Sequence, residues 1–246
     1  EETGKQISKD ENPEKISSLV QSYRHVASRV PNSRIIVADG SVSAVSTQVK
    51  SHLKRLVGEP MRKAVILDKD GVLVDNSAYA QGGIPTDGVY VDQTVQGLRR
   101  LIDSGYHLFI LSNQPWIAKG RLAREEVENI FRSVIQQYRE HGVEFDGYDY
   151  CPHQSSDNCD CKKPKTAKLE RIIEENDIDV SESFLVGDRG DDIKAGRDVG
   201  LKNVLVMTGD GRKYKSNIRP DITSEDVNHF VDIILSKGGE CRAGVI

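Results

Sequence analysis

Four short apolar runs, separated by helical patterns, constrain the fold of this chain more than any other feature. The runs lie at 64–67, 108–111, 184–186 and 204–206, and a further strand is predicted at 148–150. Helical periodicity is found at about 93–104, 123–140, 166–176, 191–199 and 224–236. Short apolar runs without polar alternation are typical of parallel strands that are covered on both faces. The sequence therefore predicts an α/β fold, a Rossmann-like parallel sheet with helices on both faces, in a domain spanning 61–240.

A smaller unit precedes this domain. Residues 14–60 predict a helix, a short strand at 35–37 and a second helix, and that unit is too small to bury a core of its own. The apolar stripe of the second helix consists of Val45, Val49, Leu53 and Leu56. Residues 1–13 are polar and charged, and they predict a disordered leader.

Composition limits the classes of partner. The chain has 34 Lys and Arg against 38 Asp and Glu, a formal net charge of −4, which does not suit a broad nucleic-acid surface. No run approaches the roughly 20 apolar residues of a membrane-spanning helix, so no membrane partner is expected. Three of the four cysteines lie within 151–161, and an odd cluster cannot pair internally. This cysteine usage predicts a reducing compartment, the cytoplasm.

Carboxylates follow two of the predicted strands at the point where each ends. Asp68 and Asp70 follow the first run, and Asp188 follows the run at 184–186, with two more aspartates at 191–192. In open α/β sheets, sites form at the carboxyl ends of the strands. Carboxylates gathered there repel each other unless a cation neutralises them, and Mg²⁺ prefers oxygen ligands. A lone Asp-x-Asp-Gly is equally compatible with an ordinary polar loop, so the interpretation depends on other segments.

Two other segments supply the remaining groups of a phosphate site. Ser112, Asn113 and Gln114 end the second strand, and Lys162 and Lys163 lie before the strand that ends at 186. In chain order, these segments resemble the signature of the haloacid-dehalogenase superfamily of phosphotransferases over about residues 62–237. The matching residues are Asp68-x-Asp70-Gly71, Ser112, Lys163, and Gly187-Asp188 with Asp192.

The resemblance implies a role for each side chain. Asp68 is then the nucleophile that forms an aspartyl-phosphate, and Asp70 protonates the leaving oxygen and later deprotonates water. Ser112 and Lys163 then bind the phosphoryl oxygens. The acid at Asp70 indicates a phosphatase, because the dehalogenases of the superfamily lack it.

The resemblance also implies a magnesium site. Asp68, the backbone carbonyl of Asp70, and Asp188 are then the ligands, and Asp192 orients them. Asp191 is the alternative to Asp192, although the family's spacing favours Asp192. The family's strand order places the strands that end at Asp68 and Asp188 side by side, so that the crevice opens between them.

A second metal site is predicted in the segment 151–161. Cys151, His153, Cys159 and Cys161 supply three thiolates and one imidazole, a closed tetrahedral set suited to structural zinc. Unligated cysteines beside a histidine are the alternative. A nucleic-acid zinc finger fits poorly, because no helix with a second ligand pair follows.

The segment 151–164 indicates which subgroup of the superfamily the chain resembles. Cys-Pro-His followed by Cys-x-Cys-Lys-Lys-Pro resembles the histidinol-phosphatase and heptose-bisphosphate-phosphatase subgroup, in which a zinc loop replaces a cap domain. The resemblance implies an open, capless site with the loop placing Lys163. The subgroup usually has arginine at the position of Lys162, and lysine cannot grip a second phosphate in bidentate fashion.

The amino-terminal unit resembles a different family. Residues 20–23, 27–31 and 35–40 are similar to the carboxyl-terminal end of thymidylate-kinase-like P-loop kinases. The phosphate-binding motif of such kinases is absent from the sequence, so the chain is not a complete kinase. The resemblance implies a kinase–phosphatase fusion with an upstream kinase domain, and an unrelated packing extension is the alternative.

Three functions from different classes remain open on the sequence. The first is a phosphomonoesterase that acts on a small phosphorylated metabolite. Its predicted substrate-binding residues are Asn113, Gln114 and Lys162. Residues 112–120 resemble the heptose-bisphosphate branch, which makes heptose 1,7-bisphosphate the first choice, and the short loop 159–161 resembles the histidinol-phosphate branch. The second function is a nucleotide or polynucleotide end phosphatase. The third is an inactive zinc-stabilised binding module.

Overall fold

The structure, a computed structural model, describes residues 41–78, 82–84 and 88–237. Its strands are β1 (Ala64–Leu67), β2 (His107–Asn113), β3 (Gly147–Cys151), β4 (Phe184–Gly187), β5 (Lys202–Val206) and β6 (Ile222–Ser224). They form one six-stranded sheet in the order β3-β2-β1-β4-β5-β6, and every neighbouring pair is parallel. The predicted parallel sheet is confirmed.

Helices connect the strands. They are α1 (Val42–Leu56), α2 (Val91–Asp103), α3 (Arg124–Glu140), α4 (Ala167–Glu175), α5 (Gly190–Val199), α6 (Gly211–Tyr214) and α7 (Val227–Lys237). The predicted positions agree within a few residues, and β6 and α6 were missed because three or four residues show no periodicity. None of the helices in the described part of the chain is long and apolar enough to cross a membrane.

Each strand divides its side chains between the two faces of the sheet. In β1, Val65 and Leu67 belong to one buried cluster, whereas Ala64 and Ile66 belong to another. The first cluster receives apolar residues from α2, α3 and α7, and the second receives them from α1, α4 and α5. Because successive strand residues point to opposite faces, an unbroken apolar strand supplies both layers of the core.

The middle of the sheet places the acidic strand ends together. β1 pairs with β2 on one side and with β4 on the other, and Leu67 lies opposite Val186. The amide of Asp68 donates to the carbonyl of Val186 over 2.9 Å. The predicted neighbourhood of the strands that end at Asp68 and Asp188 is therefore confirmed, and the crevice lies where the strand connections change direction.

A tight turn follows β1. The carbonyl of Lys69 accepts hydrogen bonds from the amides of Leu73 and Val74, both over 2.9 Å. Gly71 has φ +91°, and a Cβ on it would lie 2.1 Å from Oδ2 of Asp188. Glycine is required here both for the backbone conformation and for the space. Between this turn and α2, the described residues form no cap domain.

Helix α1 packs on the sheet domain through a face that the sequence did not indicate. Its buried residues are Ala44, Thr47, Gln48 and Ser51. Gln48 donates from Nε2 to the carbonyl of Asp198 over 2.9 Å. Of the stripe predicted from periodicity, Val49, Leu53 and Leu56 are exposed.

The physical reason is that buried polar groups fix this face: Gln48 bonds the carbonyl of Asp198, and Oγ of Ser51 accepts from the amide of Val180. Lys50, Lys54 and Arg55 form ion pairs with Glu174, Asp177 and Asp179 at the rim of the contact. The predicted leader, the first helix and the strand of the amino-terminal unit, and Cys241 lie outside the described residues.

Ala44→Asp is expected to lower the free energy of unfolding by about 2–4 kcal/mol, because Ala44 is fully buried and a carboxylate there would lose its water. Val42→Asp is the matched control. Val42 is 90% exposed at the first turn of the same helix, where an acid suits the helix dipole. Chemical denaturation measures both variants, and equal effects would show that α1 does not stabilise the domain.

Candidate active site

Three buried carboxylates meet at the carboxyl ends of β1 and β4. Asp68 follows β1, Asp188 follows β4, and Asp192 lies in the first turn of α5. One carboxylate oxygen of each lies within 4.8 Å of the others. Asp191, the alternative to Asp192 on the sequence, is exposed. Helix α5 therefore presents Asp192 to the cluster.

The carboxylate of Asp188 is held on one side and open on the other. Its Oδ2 accepts from the backbone amide of Asp210 over 2.8 Å and from Nδ2 of Asn76 over 3.3 Å. Its Oδ1 is buried and has no hydrogen-bond partner among the described residues. Burial, followed by the charges of Asp68 and Asp192, raises the pKa of Asp188 well above its usual value.

Lys163 neutralises part of this cluster. Its Nζ lies 2.6 Å from Oδ1 of Asp192 and 3.1 Å from Oδ1 of Asp68, and it donates to the carbonyl of Leu111 over 2.6 Å. Burial alone would lower the pKa of Lys163, but the two carboxylates raise it above its usual value. Burial raises the pKa of Asp192 to about 6, against the opposing charge of Lys163. One lysine therefore does not satisfy three carboxylates.

Residues at the end of β2 hold the other side chains in place. The amide of Asn113 bonds both backbone groups of Lys163, accepting at 2.9 Å and donating at 3.0 Å. Gln114 donates from Nε2 to Oδ2 of Asp70 over 2.7 Å and to Oγ of Ser112 over 3.1 Å. The sequence predicted substrate contacts for Asn113 and Gln114; Asn113 lines the cavity, and both side chains also bond other predicted site residues.

A cavity of about 440 Å³ opens above the carboxylates. Asp68, Asp70, Ser112, Lys162 and Lys163 are among the predicted site residues that line it. Other lining residues were not predicted as site residues, among them Asn76, Trp116, Lys119, Arg121, Arg189 and Asp210. Several follow a recognisable signal, because they lie within a few residues of a strand end that already carries a site residue.

The acidic cluster fits a divalent cation. Within the described part of the chain, Oδ1 of Asp188 and Oδ1 of Asp68 are buried without a hydrogen-bond partner, although Nζ of Lys163 is 3.1 Å from the latter. Three carboxylates within 4.8 Å form the all-oxygen donor set that hard cations prefer. A cation between them would offset the burial and the repulsion that together raise the pKa of Asp188.

The second predicted metal site is also assembled. One donor atom from each of Cys151, His153, Cys159 and Cys161 lies within 4.8 Å of the others. Sγ of Cys151 is 3.6 Å from Sγ of Cys159 and 3.2 Å from Sγ of Cys161, and Nδ1 of His153 is 3.1 Å from Sγ of Cys161. Burial raises the pKa of the Cys151 thiol, so in the absence of a cation its proton would be retained. Such a set of donors fits a tetrahedral zinc ion.

Comparisons with known proteins show the family of this chain. A family model described as HAD-hydrolase-like matches residues 160–230. D-glycero-beta-D-manno-heptose-1,7-bisphosphate 7-phosphatase of Pasteurella multocida is 33% identical over 174 residues, which cover 66% of this chain and 94% of that protein. The protein of the same name from Haemophilus influenzae is 36% identical over 61% of this chain and 84% of its own length.

A solved structure agrees with these relatives. The crystal structure of D,D-heptose 1,7-bisphosphate phosphatase from B. bronchiseptica, complexed with magnesium and phosphate, covers 71% of this chain and 99% of its own. The two share 26% identity, and the TM-score is 0.62. Fold, site and relatives together define a hydrolase of phosphoric monoesters. The chain belongs to the haloacid-dehalogenase (HAD) family of phosphatases, alongside the heptose-bisphosphate phosphatases.

Proposed function

We propose that this phosphatase is a magnesium-dependent enzyme that works through an aspartyl-phosphate on Asp68 and acts on a phosphorylated sugar, with heptose 1,7-bisphosphate as the first candidate. The observation that carries the proposal is the meeting of Asp68, Asp188, Asp192 and Lys163 at one edge of the sheet, where Asp68, Asp192 and Lys163 line the cavity. This arrangement would bring a nucleophile, a cation site and a fixed ammonium group to bear on one phosphoryl group. The names of the relatives supply the substrate class.

The proposed reaction has two steps, formation of an aspartyl-phosphate on Asp68 and its hydrolysis. A carboxylate oxygen of Asp68 attacks phosphorus, the ester P–O bond breaks, and Asp70 gives its proton to the leaving oxygen. A water molecule then attacks the phosphorus of the aspartyl-phosphate and loses a proton to Asp70. The carboxylate of Asp68 leaves, and inorganic phosphate is released. Ser112 and Lys163 hold the phosphoryl oxygens throughout.

Two metals complete the proposal. Asp68, Asp188 and the backbone carbonyl of Asp70 would hold Mg²⁺, with Asp192 orienting the site, and the ion would stabilise the charge on the phosphoryl oxygens. Cys151, His153, Cys159 and Cys161 would hold Zn²⁺ in a structural role. The zinc would stiffen the segment that leads to Lys163. Cys151, Cys159 and Cys161 form no disulfide among the described residues, and such thiols suit a reducing compartment such as the cytoplasm.

Charges around the cavity support a polar substrate with a second anionic group. Lys119, Arg121, Lys162 and Arg189 line the cavity in addition to Lys163. Nζ of Lys119 and Cζ of Arg121 lie 4.8 and 4.9 Å from the ring centroid of Trp116. Cations beyond the reacting centre favour a compact bisphosphate over an apolar monophosphate.

A phosphorylated amino alcohol, such as histidinol phosphate, is a second candidate. Asp191 and Asp210 line the same cavity as the cations. Carboxylates attract an ammonium group, which a sugar phosphate lacks.

The substrate is tested by kcat/KM for heptose 1,7-bisphosphate, histidinol phosphate and a 3′-phosphorylated nucleotide. We expect the bisphosphate to be preferred. A preference of about a hundredfold or more for either of the other two, equivalent to about 2.7 kcal/mol, would overturn the substrate and leave the chemistry at Asp68 untouched.

Lys162→Arg is expected to increase selectivity for the bisphosphate over the corresponding monophosphate by about tenfold, because a guanidinium can bind a phosphate in bidentate fashion. Lys165→Arg is the matched control, since it makes the same exchange on the same segment outside the lining of this cavity. The selectivity ratio of kcat/KM is the measurement. If both variants change the ratio equally, Lys162 does not contact the second phosphate.

The amino-terminal resemblance extends the proposal to the whole polypeptide. We infer that an upstream kinase domain is a partner of this phosphatase in a fusion protein. The support is the sequence pattern of residues 14–58, and mass analysis of the natural polypeptide tests it.

A further inference from the structure

A buried lysine, Lys69, lies in the sequence between Asp68 and Asp70, the two carboxylates that the proposed chemistry uses. Lys69 is 1% exposed, and its Nζ lies 5.9 Å from the ring centroid of Phe131, which is itself fully buried. Asp68 and Asp70, its neighbours in sequence, line the cavity. An ammonium group buried among apolar side chains is costly unless a specific partner compensates it.

The partner of this ammonium is Asp70. Nζ of Lys69 forms a hydrogen-bonded ion pair with Oδ1 of Asp70. Oδ2 of the same carboxylate accepts from Nε2 of Gln114 over 2.7 Å. Both oxygens of Asp70 are therefore held by buried side chains, Lys69 and Gln114, at 1% and 2% exposure.

Lys69 is itself rigidly placed. Its carbonyl accepts from the amides of Leu73 and Val74, which closes the turn after β1. Its side chain lies against Phe131, whose ring stacks on those of Tyr148 and Tyr150 at 4.9 and 5.3 Å. A lysine with both its backbone and its side chain restrained can fix the carboxylate that it binds.

The two buried lysines of the site bind different carboxylates. Lys163 contacts Asp68 and Asp192, two of the three carboxylates of the acidic cluster. Lys69 is directed to Asp70, the residue that transfers the proton in the proposed reaction. Proton transfer requires the acid within hydrogen-bonding distance of the leaving oxygen, so a carboxylate that turns freely would lose much of its effect.

We infer that Lys69 is a positioning residue, which holds the carboxylate of Asp70 in the orientation from which it protonates the leaving group. The inference rests on the proposed function, since it assigns Asp70 as the acid. The inference predicts that removing the Lys69 ammonium lowers activity more for a substrate with a poor leaving group than for one with a good leaving group. An alkoxide needs the proton as it departs, whereas p-nitrophenolate leaves without one.

Lys69→Met tests the inference, because methionine fills similar space beside Phe131 without a donor. We expect kcat/KM for glycerol phosphate to fall about a hundredfold, within the range of general acid catalysis, and kcat/KM for p-nitrophenyl phosphate to fall less than about fivefold. The ratio kcat/KM is chosen because it reports the first phosphoryl transfer and not the later hydrolysis. Lys69→Arg keeps a donor for Asp70 and is expected to recover most of the loss.

Asp70→Asn, measured on the same two substrates, separates the inference from the proposed function. If Asp70→Asn affects both substrates equally, the assignment of the acid is wrong and the proposed function fails with it. If Asp70→Asn shows the difference while Lys69→Met lowers both substrates equally, or lowers neither, the positioning role alone is overturned. Should Lys69→Met not fold, Lys69→Leu, which also lacks a donor, replaces it with the same expectations.

Discussion

Asp68→Asn is expected to reduce turnover by about 10⁴-fold or more, because an amide cannot act as the attacking carboxylate. The substitution keeps the size of a side chain that is 6% exposed. It removes one partner of Lys163, which retains Asp192 at 2.6 Å. The protein should therefore stay folded while phosphate release stops, as measured by a phosphate assay and by thermal unfolding.

Asp232→Asn is the matched control for that exchange. Asp232 forms an ion pair with Arg100 on the surface of α7, and its side chain is 62% exposed. We expect turnover and stability to stay near those of the unmodified protein, since exposed ion pairs contribute little. If Asp68→Asn retains about a tenth of the activity, Asp68 is not the nucleophile.

Loss of zinc is expected to have the second large effect. The protein should contain about one zinc ion per chain, and its removal by a chelator should lower the melting temperature by about 10 °C and abolish most activity. Stability and activity should fall together, because the segment after Cys161 carries Lys163, whose backbone is bonded to Asn113. Zinc and magnesium should both be needed for recovery.

Cysteine variants test the same site without a chelator. Cys161→Ser should lose the metal, whereas Cys241→Ser, outside the predicted ligand set, should keep it. Metal analysis and thermal unfolding provide the readouts. A protein prepared without chelator that contains no zinc would refute the proposed ligand set.

Local sequence was sufficient for much of the sheet. Apolar runs such as 64–67 predicted strands because a strand buried on both faces must be apolar at every position. Helices between them followed from periodicity, which is read within one segment. The aspartates after β1 and β4 were recognised because strand ends in a parallel sheet share one edge, so their position in the chain indicates their position in space.

Sequence was not sufficient where the partner lies far along the chain. The buried face of α1 depends on Asp198 and Ile178, more than a hundred residues away, and periodicity in 42–56 indicated the stripe that is exposed. In the same way, Asn113 carried an amide typical of a binding site. Its hydrogen bonds to Lys163 exist because the segment after Cys161 returns to the end of β2.

The sequence by itself determined the fold class and the chemical groups at the site, because strand patterning and strand-end residues are local properties. The tertiary structure alone decided how those groups are paired. Lys163 contacts Asp192 and Asp68, Lys69 contacts Asp70, and one oxygen of Asp188 has no hydrogen-bond partner among the residues that the structure describes. Such pairings depend on distances of a few ångströms between separate elements. They are set by the packing of β1, β2, β4 and α5 against one another and cannot be read from spacing along the chain.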